Sequence, residues 1–125
     1  MTHKSYQVEF SIGSTASILF QFLITPTGLS QWFADDVKAD SNHYFFTWDG
    51  YSEEAELVEE EEDKKVKFSW QDSDDTFFSF EIDKSEVTGD TILIITDFAE
   101  ENEIEDQKLL WENQITTLKR VIGGA

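Results

Sequence analysis

"IEDQKLLWENQITTLKRVIGG", Ile104 to Gly124, is the stretch from which the architecture follows. Trp111, Ile115, Leu118 and Ile122 fall at i, i+4, i+7 and i+11, with Leu110 and Val121 widening the stripe. Lys119 and Arg120 followed by Gly123 and Gly124 read as a helix end, where cations meet the carbonyl dipoles and glycine turns the chain. The segment is therefore a long amphipathic C-terminal helix. One such helix buries its stripe only against a second layer, so the fold depends on what precedes it.

Working back from that helix, the chain between 37 and 98 reads as successive strands. In "HYFFTW", Tyr44, Phe46 and Trp48 share one face, and Asp49-Gly50 is a hairpin signal that returns the chain into "EEAELV" with Ala55 and Leu57 inward. The acidic turn "EEEEDKK" leads to a strand with Val66, Phe68 and Trp70 inward. A second charged turn, "QDSDD", leads to Phe78, Phe80 and Ile82. "TILIITDF" follows "VTGD" and is the most continuously apolar strand, which places it where both faces are partly covered. Near the N-terminus, Tyr6, Val8, Phe10 and Ile12 alternate with polar residues as a first strand. "GSTASILFQFLITPTG" then gives a helix capped by Ser14 or Thr15, which Pro26 breaks before a second short helix capped by Thr25 or Thr27.

The predicted fold class is α+β: an antiparallel sheet of about six or seven strands, two short helices after the first strand, and one long helix across the concave face. Its 125 residues fit one domain, 1–125, long enough to bury about two-thirds of the surface its unfolded chain exposes.

Adjacent aromatics at Trp32 and Phe33, in "TPTGLSQWFADDV", cannot both lie on one narrow helical stripe, so one of them must face a second environment. The element order and these residues resemble the START-like (SRPBCC) superfamily, the helix-grip architecture of the birch pollen allergen and of polyketide cyclases. Within it, the resemblance runs to the homologues of the activator of the heat-shock-protein ATPase, whose "T-x-P-x-x-L-x-x-W-F" segment is loosely matched by Thr25 to Phe33. The short "AEENEIED" connection lacks the Gly-Trp turn common in that branch. The resemblance implies a cavity between sheet and helix, closed at one end by the two short helices, with Trp32 and Phe33 straddling that end. One of the two would pack into the core and the other would stand at the cavity mouth.

On this reading the candidate ligand-binding residues are Trp32, Phe33, Phe46, Trp48, Phe68, Trp70, Phe78, Phe80, Trp111 and Ile115. Tyr44, Thr96 or Gln114 would supply an orienting polar group. A concave sheet must also be filled by large residues wherever no ligand fills it, so core packing competes with the cavity for the same side chains.

Charge and composition narrow the partners. With 27 acidic and 9 basic residues the net charge is −18, which disfavours nucleic acid and anionic membrane surfaces and leaves neutral apolar ligands or a basic protein. The absence of cysteine removes disulfides and thiolate chemistry and suits the cytoplasm. No window approaches the roughly 18 consecutive apolar residues of a membrane span.

Catalytic constellations are sparse. His3 and His43 are the only histidines, which argues against a triad or a histidine metal site, and "GSTAS" reads as a helix cap rather than a phosphate loop. The run Asp72 to Asp75 lacks the glycine and distal glutamate of a calcium loop, and Glu59 to Asp63 reads as a charged hairpin tip that keeps strand edges apart. The expectation is a non-enzymatic module that binds a small hydrophobic ligand, lipid-like or flat and aromatic, with no catalytic residue, metal or cofactor. The alternative is a co-chaperone-like interaction module, and cyclase or hydrolase chemistry ranks third. Oligomeric state, monomer or dimer, is left open.

Overall fold

The computed structural model describes residues 3–72 and 75–123. Its elements run β1 (His3–Ile12), α1 (Ala16–Ile24), α2 (Pro26–Leu29), β2 (Asp36–Asp40), β3 (His43–Trp48), β4 (Tyr51–Glu61), β5 (Lys65–Trp70), β6 (Phe77–Lys84), β7 (Thr91–Glu100), a 3-10 turn (Glu101–Glu103) and α3 (Ile104–Ile122). The centre of the "DSDD" run, residues 73 and 74, and the final glycine of the predicted helix end, residue 124, lie outside the described residues.

Seven strands form one curved antiparallel sheet in the order β1-β7-β6-β5-β4-β3-β2. Neighbours in sequence pair as hairpins from β2 to β7, and the first strand then pairs with the last over ten residue pairs, from His3 opposite Glu100 to Ile12 opposite Thr91. β7 is thus an interior strand, and its outward Ile92 and Ile94 are half-buried. The β3–β4 hairpin turns at Asp49 and Gly50, both at positive φ (49° and 81°), a backbone pairing that Asp-Gly adopts at little cost.

Local chemistry explains the two short helices. The Thr15 hydroxyl accepts from the Ile18 N–H at 3.2 Å and caps α1. Thr25 serves both helices at once: its hydroxyl donates to the Gln21 carbonyl at 2.7 Å and accepts from the Gly28 N–H at 2.9 Å, with Pro26 at the first position of α2. α1 and α2 meet at Gly28, where a Cβ would collide with the Gln21 carbonyl oxygen and the Phe22 Cα. α1 covers β5 and β6, and α3 lies against β1 and β7.

The core sits between these helices and the sheet. Leu19 and Leu23 of α1, Leu29 of α2, Phe46, Phe68 and Phe80 of the sheet, and Leu118 of α3 are fully buried within it. α3 presents Trp111, Ile115 and Leu118 inward, three positions of the stripe that its spacing predicts; Val121 and Ile122 are half-buried, and Leu110, expected to widen the stripe, is instead 54% exposed at the edge of the helix face.

Candidate functional site

Phe33 organises the interior between sheet and helix. Its ring stacks on Phe78 (centroids 5.1 Å apart) and on Trp111 (5.8 Å), and meets Phe46 and Trp48 edge-on at 5.2 and 5.4 Å. Its carbonyl oxygen accepts from Trp48 Nε1 at 2.7 Å and from Gln114 Nε2 at 2.9 Å, so one peptide group ties β3 to α3. Trp32 faces the other way: its Nε1 donates to the Phe22 carbonyl at 2.8 Å and its ring packs on Phe80 at 5.6 Å. Both residues are buried, Trp32 against α1 and Phe33 at the centre of the aromatic cluster.

Beside Phe33 a cleft of about 390 Å³ opens between the sheet and the N-terminal half of α3. Phe33, Trp48, Trp70, Phe78, Leu110 and Trp111 form its apolar walls, and Asp97, Gln107, Asn113 and Gln114 are its polar lining. Trp48 and Trp70, half-buried and 6.4 Å apart between ring centroids, form the sheet-side wall.

The structure therefore divides the ten residues singled out from the sequence. Phe33, Trp48, Trp70, Phe78 and Trp111 line the cleft. Phe46, Phe68, Phe80 and Ile115 are buried in packed core next to it, and Trp32 lines a neighbouring groove that shares Phe33, Trp48 and Gln114 with the cleft. Of the three polar candidates, Gln114 reaches the cleft. The Tyr44 hydroxyl donates to the Ile24 carbonyl at 2.7 Å, and Thr96 faces the outer side of the sheet, where its hydroxyl accepts from Gln7 Nε2 at 3.1 Å.

Asp97 is the residue that the sequence reading missed. Its signal is the inward register of β7, Leu93, Ile95, Asp97 and Ala99, in which it is the one polar member. One carboxylate oxygen accepts from Trp111 Nε1 at 3.1 Å and from the Tyr6 hydroxyl at 3.3 Å; the other accepts from the Phe98 N–H at 2.8 Å. Burial pushes its carboxyl above the ordinary value of 3.8, against the pull of those three donors. Burial, and next the charge of Asp97, push the Tyr6 phenol above its ordinary range, so Tyr6 stays a neutral donor. Among the described residues, no lysine, arginine or histidine pairs with Asp97.

A smaller cleft adjoins the first, sharing Trp70 and Asp97 and adding Glu53 and Asp72. Burial, and next the Asp72 charge, push the Glu53 carboxyl up. Among the described residues no group of three or more His, Asp or Glu is placed to hold a metal ion, and no helix is long and apolar enough to cross a membrane.

A seven-stranded curved sheet gripping one long helix over an aromatic cleft is the helix-grip architecture. The chain belongs to the START-like superfamily, whose domain model matches residues 1–124. Among solved structures, it is similar to BfR322 from Bacteroides fragilis, with 33% identity and a TM-score of 0.68 over 97% of this chain and 92% of that one. It is also similar to the Aha1 dimer from Colwellia psychrerythraea, with 17% identity and a TM-score of 0.76 over 98% and 96% of the two chains. MLL2253 from Mesorhizobium loti shares 15% identity at a TM-score of 0.79, over 98% of each chain. The last two likenesses, at such identities, speak for the fold alone. No curated protein matches the chain.

Proposed function

We propose that residues 1–125 act as one binding domain that holds a small hydrophobic molecule in the cleft between the sheet and α3, without transforming it. The observation that carries this reading is the cleft itself, about 390 Å³ with five aromatic side chains in its walls, within the size range of small-molecule sites. Phe33, Phe78 and Trp111 are buried at its floor, whereas a core that needed Trp48 and Trp70 only for packing would close over them, and it leaves both only half-buried. Among the described residues the lining carries no hydroxyl, thiol or imidazole, and its carboxylate, Asp97, has no acid–base partner beside it to relay a proton. Those features favour binding over acyl transfer or general-base chemistry.

The test is an amide chemical-shift titration of the labelled protein with pooled fatty alcohols, sterols, isoprenoids and flat aromatics. Saturable shifts are expected around Phe33, Trp48, Trp70 and Trp111, while the opposite end of the molecule, at Ser14, Thr15 and Gly89, stays silent. No shift from any pool, in a well-dispersed spectrum, would sink the reading. The net charge of −18 favours a second reading, docking of a basic protein on the acidic surface. That mode would give salt-sensitive binding that survives Trp70→Leu.

A further inference from the structure

We propose that the cleft selects a hydrophobic amine in its cationic form, its apolar body held between the indoles of Trp48, Trp70 and Trp111 and its ammonium directed to the Asp97 carboxylate. This inference rests on the cleft being a ligand site, and it deepens that reading by assigning the ligand's charge.

The charge inventory of the cleft supports it. Among the described residues Asp97 is the one ionisable group in the lining, and no lysine, arginine or histidine joins it there. Two neutral side-chain donors and a backbone N–H hold the carboxylate in place without neutralising it. A half-buried negative charge with no counter-charge among the described residues is stabilised by the arrival of a cation. The adjoining cleft, which shares Trp70 and Asp97, adds Glu53 and Asp72, so the potential in this region is negative over more than one group.

Wall chemistry points the same way. Indole faces attract cations more strongly than other aromatic rings do, and three indoles line this cleft. A fatty-acid carboxylate would meet Asp97 with no basic residue to receive it, and a neutral hydrophobe would leave the Asp97 charge uncompensated. The volume, about 390 Å³, is at the low end for small-molecule sites and fits a one- or two-ring amine better than a long lipid.

The experiment is calorimetric titration of the full chain near neutral pH with three matched probes: 2-naphthylmethylammonium, 2-naphthylmethanol and 2-naphthoate. The ammonium is expected to bind roughly tenfold or more tightly than the alcohol, and the carboxylate most weakly. Asp97→Asn is expected to reduce the ammonium-to-alcohol preference to about twofold or less while retaining alcohol binding. Glu81→Gln, on the exposed outer face of β6, removes the same formal charge and is expected to leave the preference intact. Should Asp97→Asn not fold, the wild-type Asp97 side-chain carboxyl carbon resonance supplies the readout, shifting with the ammonium and not with the alcohol. Equal affinity for ammonium and alcohol would overturn the inference and leave the ligand-site reading standing. Equal loss of preference in the two variants, or an unmoved Asp97 resonance, would assign any preference to the overall charge and overturn it too. Binding of none of the three probes, together with a silent pooled titration, would overturn both.

Discussion

Asp97 and Gly28 show how much single positions decide here. The folded-state pKa of Asp97 lies above its unfolded value, so folding disfavours its charged form. By linkage, its contribution is most favourable below the ordinary value of 3.8 and is lost as pH rises through the raised folded pKa. Asp97→Asn removes the charge that burial disfavours at the cost of one acceptor, since the amide can receive the Phe98 N–H or the Tyr6 and Trp111 donors but not both sets, a cost that does not vary with pH in this range. Chemical denaturation across pH should therefore show the variant gaining on wild type as pH rises from about 4; parallel curves would contradict the burial of that charge. At Gly28 the obstacle to a Cβ is backbone, the Gln21 carbonyl and the Phe22 Cα, which cannot rotate away. Gly28→Ala should cost on the order of 1–3 kcal/mol, as overpacking does, rather than yield the stabilisation that glycine removal gives in an open helix. A midpoint of denaturation unchanged from wild type would refute that contact.

At the scale of elements, α3 is both a wall of the cleft and the main clamp on the sheet. Ile115 and Leu118 are fully buried, whereas Leu109, six residues before Ile115 and facing outward, is 57% exposed. Ile115→Ala should cost about 2–5 kcal/mol and Leu109→Ala within about 0.5 kcal/mol, read from denaturant midpoints at constant slope. Similar costs at the two positions would mean that the helix is not seated by this stripe. The element-level features were largely legible in sequence, since period-two and period-3.6 spacing register the burial of each strand and helix locally. Thr25, Pro26 and the Asp49-Gly50 turn likewise declare themselves by chemistry that acts within four residues. The cleft was half legible. Phe33, Trp48, Trp70, Phe78 and Trp111 were marked by their inward register, but so were Phe46, Phe68 and Phe80, and periodicity does not tell a residue that lines a space from one that fills it.

For the whole molecule, charge is the dominant surface property. Against a net charge of −18, the ion pairs among the described residues are few and exposed: Lys4–Glu101, Lys65–Glu59 and Lys108–Glu105, together with His43–Glu54. Such pairs contribute little, while the accumulated repulsion opposes compaction. Raising NaCl from low millimolar to about 0.2 M should therefore raise the melting temperature, because screening over roughly 8–10 Å weakens repulsion more than it weakens the pairs. A falling melting temperature would show that the pairs outweigh the repulsion. The same field favours the arrival of cations and disfavours anions, in keeping with a cleft whose one ionisable group among the described residues is a carboxylate.

The sequence by itself determined the layers of this protein: six of the seven strands, the helices and most of their buried faces are written in spacings of two to four residues, whereas β2, with Val37 as its one buried residue, has no alternation to mark it. It also carried the resemblance to the START-like superfamily through the order of those elements. Only the tertiary structure decided which part of the aromatic interior is filled and which is open. That outcome depends on β1 pairing with β7 across some ninety residues of chain, on Phe33 reaching Phe78 and Trp111 at once, and on Asp97 falling at the rim where α3 crosses the sheet. Cavities and uncompensated charges arise where elements fail to meet, and no local pattern in a chain records the space between elements distant in sequence.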